Sequence, residues 1–112
     1  ANIHASATPI MEEIAHLLVK YDKYIQMIRI EGHTDNVPMN NKNYNSNWDL
    51  SVSRAVSVLR EMVEITKMEP KKYSAVGYSE FYPIDSNDTV EGRSHNRRVD
   101  FFIESVQVEN EE

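Results

Sequence analysis

An aspartate and an arginine separated by a polar loop are the residues of this chain best suited to chemistry. Asp35 stands in EGHTDNVP (Glu31 to Pro38) and Arg54 in SNWDLSVSRA (Ser46 to Ala55). Such a pair can grip a zwitterion, the carboxylate accepting from an ammonium while the guanidinium donates two parallel hydrogen bonds to a carboxylate. That chemistry is binding, not bond-making. GYSEF, from Gly77, lacks the second glycine of a nucleophile elbow, HExxH is absent, and no glycine-rich phosphate loop with its lysine occurs. His4, His16, His33 and His95 show no zinc spacing, and His33, following Gly32, is read as a structural histidine. The acidic runs DNVPMN and DSNDTVEG lack the glycine required at the sixth place of a calcium loop. No catalytic residue, metal or cofactor is expected.

Hydrophobic periodicity defines the elements that position the pair. Thr8 and Pro9 open a helix to about Tyr24, with Ile10, Ile14, Leu17, Leu18 and Tyr21 at helical spacing. Ile28 and Ile30 alternate with Arg29 and Glu31, which predicts a strand over Ile25 to His33, buried on one face. It delivers GHTD to a strand end. The Asn-rich stretch Asn36 to Asn45 with Pro38 favours turns. Ser46 or Asn47 then caps a helix to about Lys67, with Val52, Ala55, Val56, Leu59, Met62 and Val63 as its core stripe and Ser51, Arg54 and Val58 on the flank. Trp48, at the start of this helix, is expected to pack in or over the core rather than to stack on a sugar. A short strand over Lys72 to Tyr78, a long loop from Ser79 to Asn96 and a last strand from Val99 to about Val106 complete the order. Strand-like alternation just before it would send Arg97 and Arg98 to opposite faces.

The 112 residues, 40% hydrophobic and 27% charged, fit a single domain (1–112) with a core over about 8–106 and a frayed acidic tail at 107–112. A net charge of -6, with no basic run, argues against binding nucleic acid. There is no cysteine, hence no disulfide, and no stretch of about 20 apolar residues to span a bilayer. The opening ANIHASATPIMEE lacks the regions of a signal peptide.

GHTDNVP, the run Asn47-Trp48-Asp49-Leu50-Ser51 with Arg54-Ala55 and Val58, then Gly77, Pro83 and EGRSHNRRV (Glu91 to Val99) occur in the order seen in the OmpA-like peptidoglycan-binding domain, which the chain resembles over roughly Ile10 to Ile103. DNVP, the long loop and SNWDLS are most similar to the flagellar stator proteins of the MotB type and their sodium-driven relatives. The resemblance implies an α/β fold: a two-layer α+β sandwich of βαβαβ type with a mixed sheet and two main helices. The family's first strand is expected to be absent here, leaving a sheet edge uncovered. The resemblance further implies that Asp35 and Arg54 hold the diaminopimelate of a peptidoglycan stem peptide and that Asn47 lines the same pocket. It extends the ligand-binding set to Thr34, Leu50, Ser51, Asn96, Arg97 and Arg98. The implied function is a non-catalytic, extracytoplasmic anchor of a motor stator, homodimeric and joined to a channel subunit through a membrane segment outside these 112 residues. The alternative is an envelope protein tethering the outer membrane to the wall. A hydrolase built on His33 and Asp35 is the third and weakest reading.

Overall fold

The computed structural model describes the backbone of residues 2–5 and 8–106 and the side chains of 10–106, so the expected acidic tail lies outside the described residues. Two helices cover one face of a mixed sheet, as the α+β reading anticipates. In chain order the elements are β1 (Asn2–Ala5), α1 (Thr8–Lys20), β2 (Ile25–His33), α2 (Asn47–Thr66), β3 (Tyr73–Gly77), α3 (Val90–Asn96) and β4 (Arg98–Ser105). The sheet order is β1-β4-β2-β3, with β2 parallel to β3 and β4 antiparallel to both β1 and β2.

One detail of the sequence reading is corrected here. β1 occupies the place of the strand expected to be missing, pairing Asn2 with Phe102 and Ala5 with Val99 along the outer edge of β4. Backbone pairing at an exposed edge needs no hydrophobic alternation, so a four-residue strand leaves little trace in the pattern.

The core is built from Ile28 and Ile30 of β2, Val99 and Phe101 of β4, Met11, Ile14, Ala15 and Leu18 of α1, and Ala55 and Met62 of α2. Helix α1 stops at Lys20, and a single 3-10 turn over Asp22–Tyr24 leads into β2. Its buried stripe is Met11, Ile14, Ala15 and Leu18, while Ile10, Leu17 and Tyr21 of the expected stripe stand exposed on its flank.

Helix α2 begins where its cap predicts, with the Ser46 hydroxyl accepting from the Asp49 amide, and ends on Lys67 in the left-handed region at φ 57°. Its stripe is rotated relative to the sequence reading. Ser51 is fully buried and Val52 is exposed, whereas Val58, Leu59 and Val63 pack against the core. Two glycines paired across β2 and β3 explain the rotation. A Cβ on Gly32 would lie 1.9 Å from the Ser51 carbonyl oxygen, and one on Gly77 would lie 2.5 Å from the Ser51 hydroxyl. Helix backbone therefore rests directly on strand backbone, and only the small Ser51 fits between.

Candidate functional site

The close seating of α2 sets the end of β2 beside the first turns of the helix. Beyond β2 the chain turns through Thr34 and Asp35, both buried. The Thr34 hydroxyl donates to the Asp35 carbonyl at 2.8 Å, and the Thr34 amide donates to the Ser79 carbonyl at 3.0 Å. Ser79, buried and at φ 56°, donates its own amide to the Ser51 hydroxyl at 3.0 Å. Thus Ser51 and Thr34, two of the sequence candidates, hold the loop after β3 to the loop after β2. Leu50 lies buried at the helix start.

Asn47, in the first turn of α2, ties the other side of the loop. Its amide nitrogen donates to the Val37 carbonyl at 3.0 Å and the Asp35 carbonyl at 3.4 Å, which fixes which way the amide points. Its oxygen Oδ1 is buried and accepts no hydrogen bond among the described residues. An unpaired buried acceptor is costly, so such an atom calls for an explanation.

The Asp35 carboxylate accepts from the Val37 amide at 3.0 Å and from Arg97 Nη1 at 2.7 Å. A carboxylate offers about four acceptor positions, so these two bonds leave capacity for an incoming ammonium. Arg54 stands in the same field. Burial, then the charge of Arg97, lowers its pKa, while Asp35 and Tyr44 act in the opposite sense. Among the described residues Arg54 makes no side-chain hydrogen bond and no salt bridge. The cluster thus holds two guanidinium groups against one carboxylate, an excess of positive charge open to an anion.

The remaining candidates have other partners. Asn96 is fully buried; its Oδ1 accepts from the Ile84 and Asp85 amides at 2.8 and 3.0 Å, and its Nδ2 donates to the Asp85 carbonyl and to Asn87 Oδ1, both at 2.9 Å. It braces the loop before α3. Arg98 points to the face of the sheet that the helices leave open, donating from Nε to both Asp100 oxygens at 3.2 Å and from Nη2 to the Tyr82 carbonyl at 2.9 Å. Arg97 and Arg98 therefore have separate partners, although Arg97 is the C-cap of α3 and only Arg98 belongs to β4, so strand alternation is not what parts them.

That open face carries a second charged group. Arg29 donates to Glu31 at 2.7 Å, His33 Nε2 lies 3.4 Å from Asp100, and the His33 ring stacks on Tyr78 with centroids 5.3 Å apart. Glu31, His33 and Asp100 bring their donor atoms within 4.8 Å of one another, close enough in distance for a metal ion. Arg29 and Arg98 already neutralise both carboxylates, so the charge a cation would bring has nothing left to balance. His33 and Asp35, the pair of the hydrolase reading, belong to separate clusters.

Comparison with known proteins fits this arrangement. The OmpA family model matches residues 1–97. The chain belongs to the OmpA family. Among OmpA-type relatives, Motility protein B of Bacillus subtilis is 46% identical over 92% of this chain, and Outer membrane protein Omp38 of Acinetobacter baumannii is 35% identical over 88%. The chain spans only 39% and 26% of those two proteins. The periplasmic domain of Helicobacter pylori MotB superimposes with a TM-score of 0.76 at 29% identity, covering 87% of this chain and 60% of that one. The cell wall anchor of the T6SS from Pseudomonas aeruginosa superimposes with a TM-score of 0.76 at 30% identity, covering 94% and 80%. No helix among the described residues is long and apolar enough to cross a membrane.

Proposed function

We propose that this domain is a non-catalytic peptidoglycan-binding module, the extracytoplasmic anchor of a flagellar stator unit, and that it grips the diaminopimelate of a stem peptide. The observation that carries the reading is Arg54: a partly buried guanidinium that makes no hydrogen bond or salt bridge among the described residues, beside a carboxylate that keeps free acceptor positions. In this reading Arg54 takes the carboxylate of the diamino acid. Asp35 takes its ammonium, Asn47 and Thr34 hold the rim, and Arg97 supplies further positive charge. Leu50 and Ser51 support these groups from behind, while Asn96 and Arg98 brace the loop between β3 and α3. The likeness to Motility protein B and to a cell wall anchor supports both the ligand class and the anchoring role.

Charge-assisted hydrogen bonds contribute roughly 1.5–3 kcal/mol each, less the cost of ordering a flexible peptide, so a single site binds weakly. A homodimer on a repeating polymer compensates through effective concentration, and a membrane segment elsewhere in the full-length protein would join it to a channel subunit. The identity to Omp38 supports a second role for the same site, a tether between outer membrane and wall. The two roles diverge upstream, where a stator carries one membrane helix with an acidic residue and a tether carries a lipid anchor or barrel.

The test is co-sedimentation with purified insoluble peptidoglycan. Wild-type protein is expected in the pellet, and Asp35→Ala and Arg54→Ala in the supernatant with unchanged circular dichroism. Equal pelleting of all three would overturn the reading, and release of soluble muropeptides would point to a hydrolase.

A further inference from the structure

The surface beside the Asp35 cluster carries an aromatic platform that the stem-peptide reading leaves unused. Trp48 is 52% exposed and Phe81 59% exposed, and their rings lean together with centroids 5.4 Å apart at 39°. Trp48 is therefore not buried in the core, the first of the two placements, in or over the core, that the sequence reading allows. The pair borders a cleft of about 220 Å³ whose walls include Pro38, Met39, Asn47 and Glu80. Pro38 and Met39 continue the loop from Asp35. Asn47 belongs to both places, holding the Asp35 loop with its side-chain nitrogen while the residue lines the cleft.

We propose that this cleft is a saccharide subsite, which takes a pyranose of the glycan chain next to the stem peptide held at Asp35 and Arg54. The chemistry favours a sugar over an apolar peptide or a lipid. Aromatic ring faces are electron-rich and attract the weakly positive C–H groups of a pyranose face. The hydroxyls and acetamido group of an amino sugar need polar partners at the edge, and Ser46 and Glu80 in the cleft walls supply them. The cleft is smaller than the roughly 300–1,000 Å³ pockets that enclose drug-sized ligands, which suits a single ring. An exposed aromatic pair also costs little conformational entropy when it is covered, because each ring has only two side-chain torsions.

The inference rests on the stem-peptide reading, and one experiment separates the two. Trp48 is the only tryptophan, so its fluorescence reports on the cleft directly. Titration of a diaminopimelate stem peptide is compared with titration of the same peptide carrying its N-acetylated disaccharide, in wild type, Trp48→Ala and Phe81→Leu. The expected result is at least tenfold tighter binding of the disaccharide form to wild type, with a blue shift of Trp48 emission that the peptide alone does not cause. That gain disappears in both variants, while peptide affinity stays within twofold. Equal wild-type affinity for the two ligands overturns the saccharide subsite and leaves the stem-peptide site standing. Equal loss of both ligands in Trp48→Ala overturns it too, since the ring would then contact peptide. Binding of neither ligand to wild type removes both readings.

Discussion

Two charged clusters flank the end of β2, and their charge balance separates them. On the open face of the sheet, Arg29 and Arg98 meet Glu31 and Asp100, so acid and base are matched and Glu31, Arg98 and Asp100 are buried. On the helix side, Arg54 and Arg97 face the single carboxylate of Asp35. The first arrangement satisfies itself, as a buried ionic group must. The second is incomplete, and an unmatched, half-buried guanidinium is stable only while solvent or a ligand reaches it. Charge count, more than residue type, marks the binding site.

The comparison is broken most severely by removing one member of the closed cluster. Asp100→Ala strands the Arg98 guanidinium in a buried site, and chemical denaturation should show a loss of about 3–5 kcal/mol. A loss under 1 kcal/mol would mean that water already screens the cluster. Arg54→Ala acts on the open cluster in the opposite way. It should weaken stem-peptide binding about 10- to 100-fold, the equivalent of one charge-assisted contact, with stability unchanged within about 0.5 kcal/mol. Raising the salt concentration sharpens the contrast: ligand affinity should fall, while the contribution of the buried Arg98–Asp100 pair to stability should hardly move, because buried pairs are screened less.

The smallest effect lies outside both clusters. His95 Nδ1 lies 2.6 Å from Asp85, and this hydrogen bond, then one from the Ser86 amide, lowers the Asp85 pKa. A lowered carboxylate pKa adds stability that is present above the unfolded-state value and is lost as pH falls through the folded one. Asp85 is exposed, so Asp85→Asn should shift the acid limb of the pH–stability curve only slightly.

Much of this organisation was legible in the sequence. The alternation of Ile28 and Ile30 located β2, Ser46 located the start of α2, and the order of GHTD, LSVSRA and NRRV brought Asp35, Arg54 and Arg97 into one candidate set. What was not legible depends on distant partners. The rotation of α2 toward Ser51 follows from Gly32 and Gly77 lying side by side, which no local period encodes. Helix α3 sat inside the expected loop: it has seven residues, and its sign was Thr89, whose hydroxyl accepts from the Gly92 amide. The Asp35–Arg97 ion pair joins residues far apart in the chain, and the Trp48–Phe81 platform joins the first turn of α2 to the loop after β3, so neither has a signature in spacing.

The most direct test of the incomplete cluster is calorimetric titration of the folded domain with a diaminopimelate stem peptide, repeated with Arg54→Ala. The account predicts saturable binding to wild type, weakening as salt rises and reduced at least tenfold in the variant. Equal affinity in both proteins would contradict it, because the unmatched guanidinium would then have no part in holding the ligand.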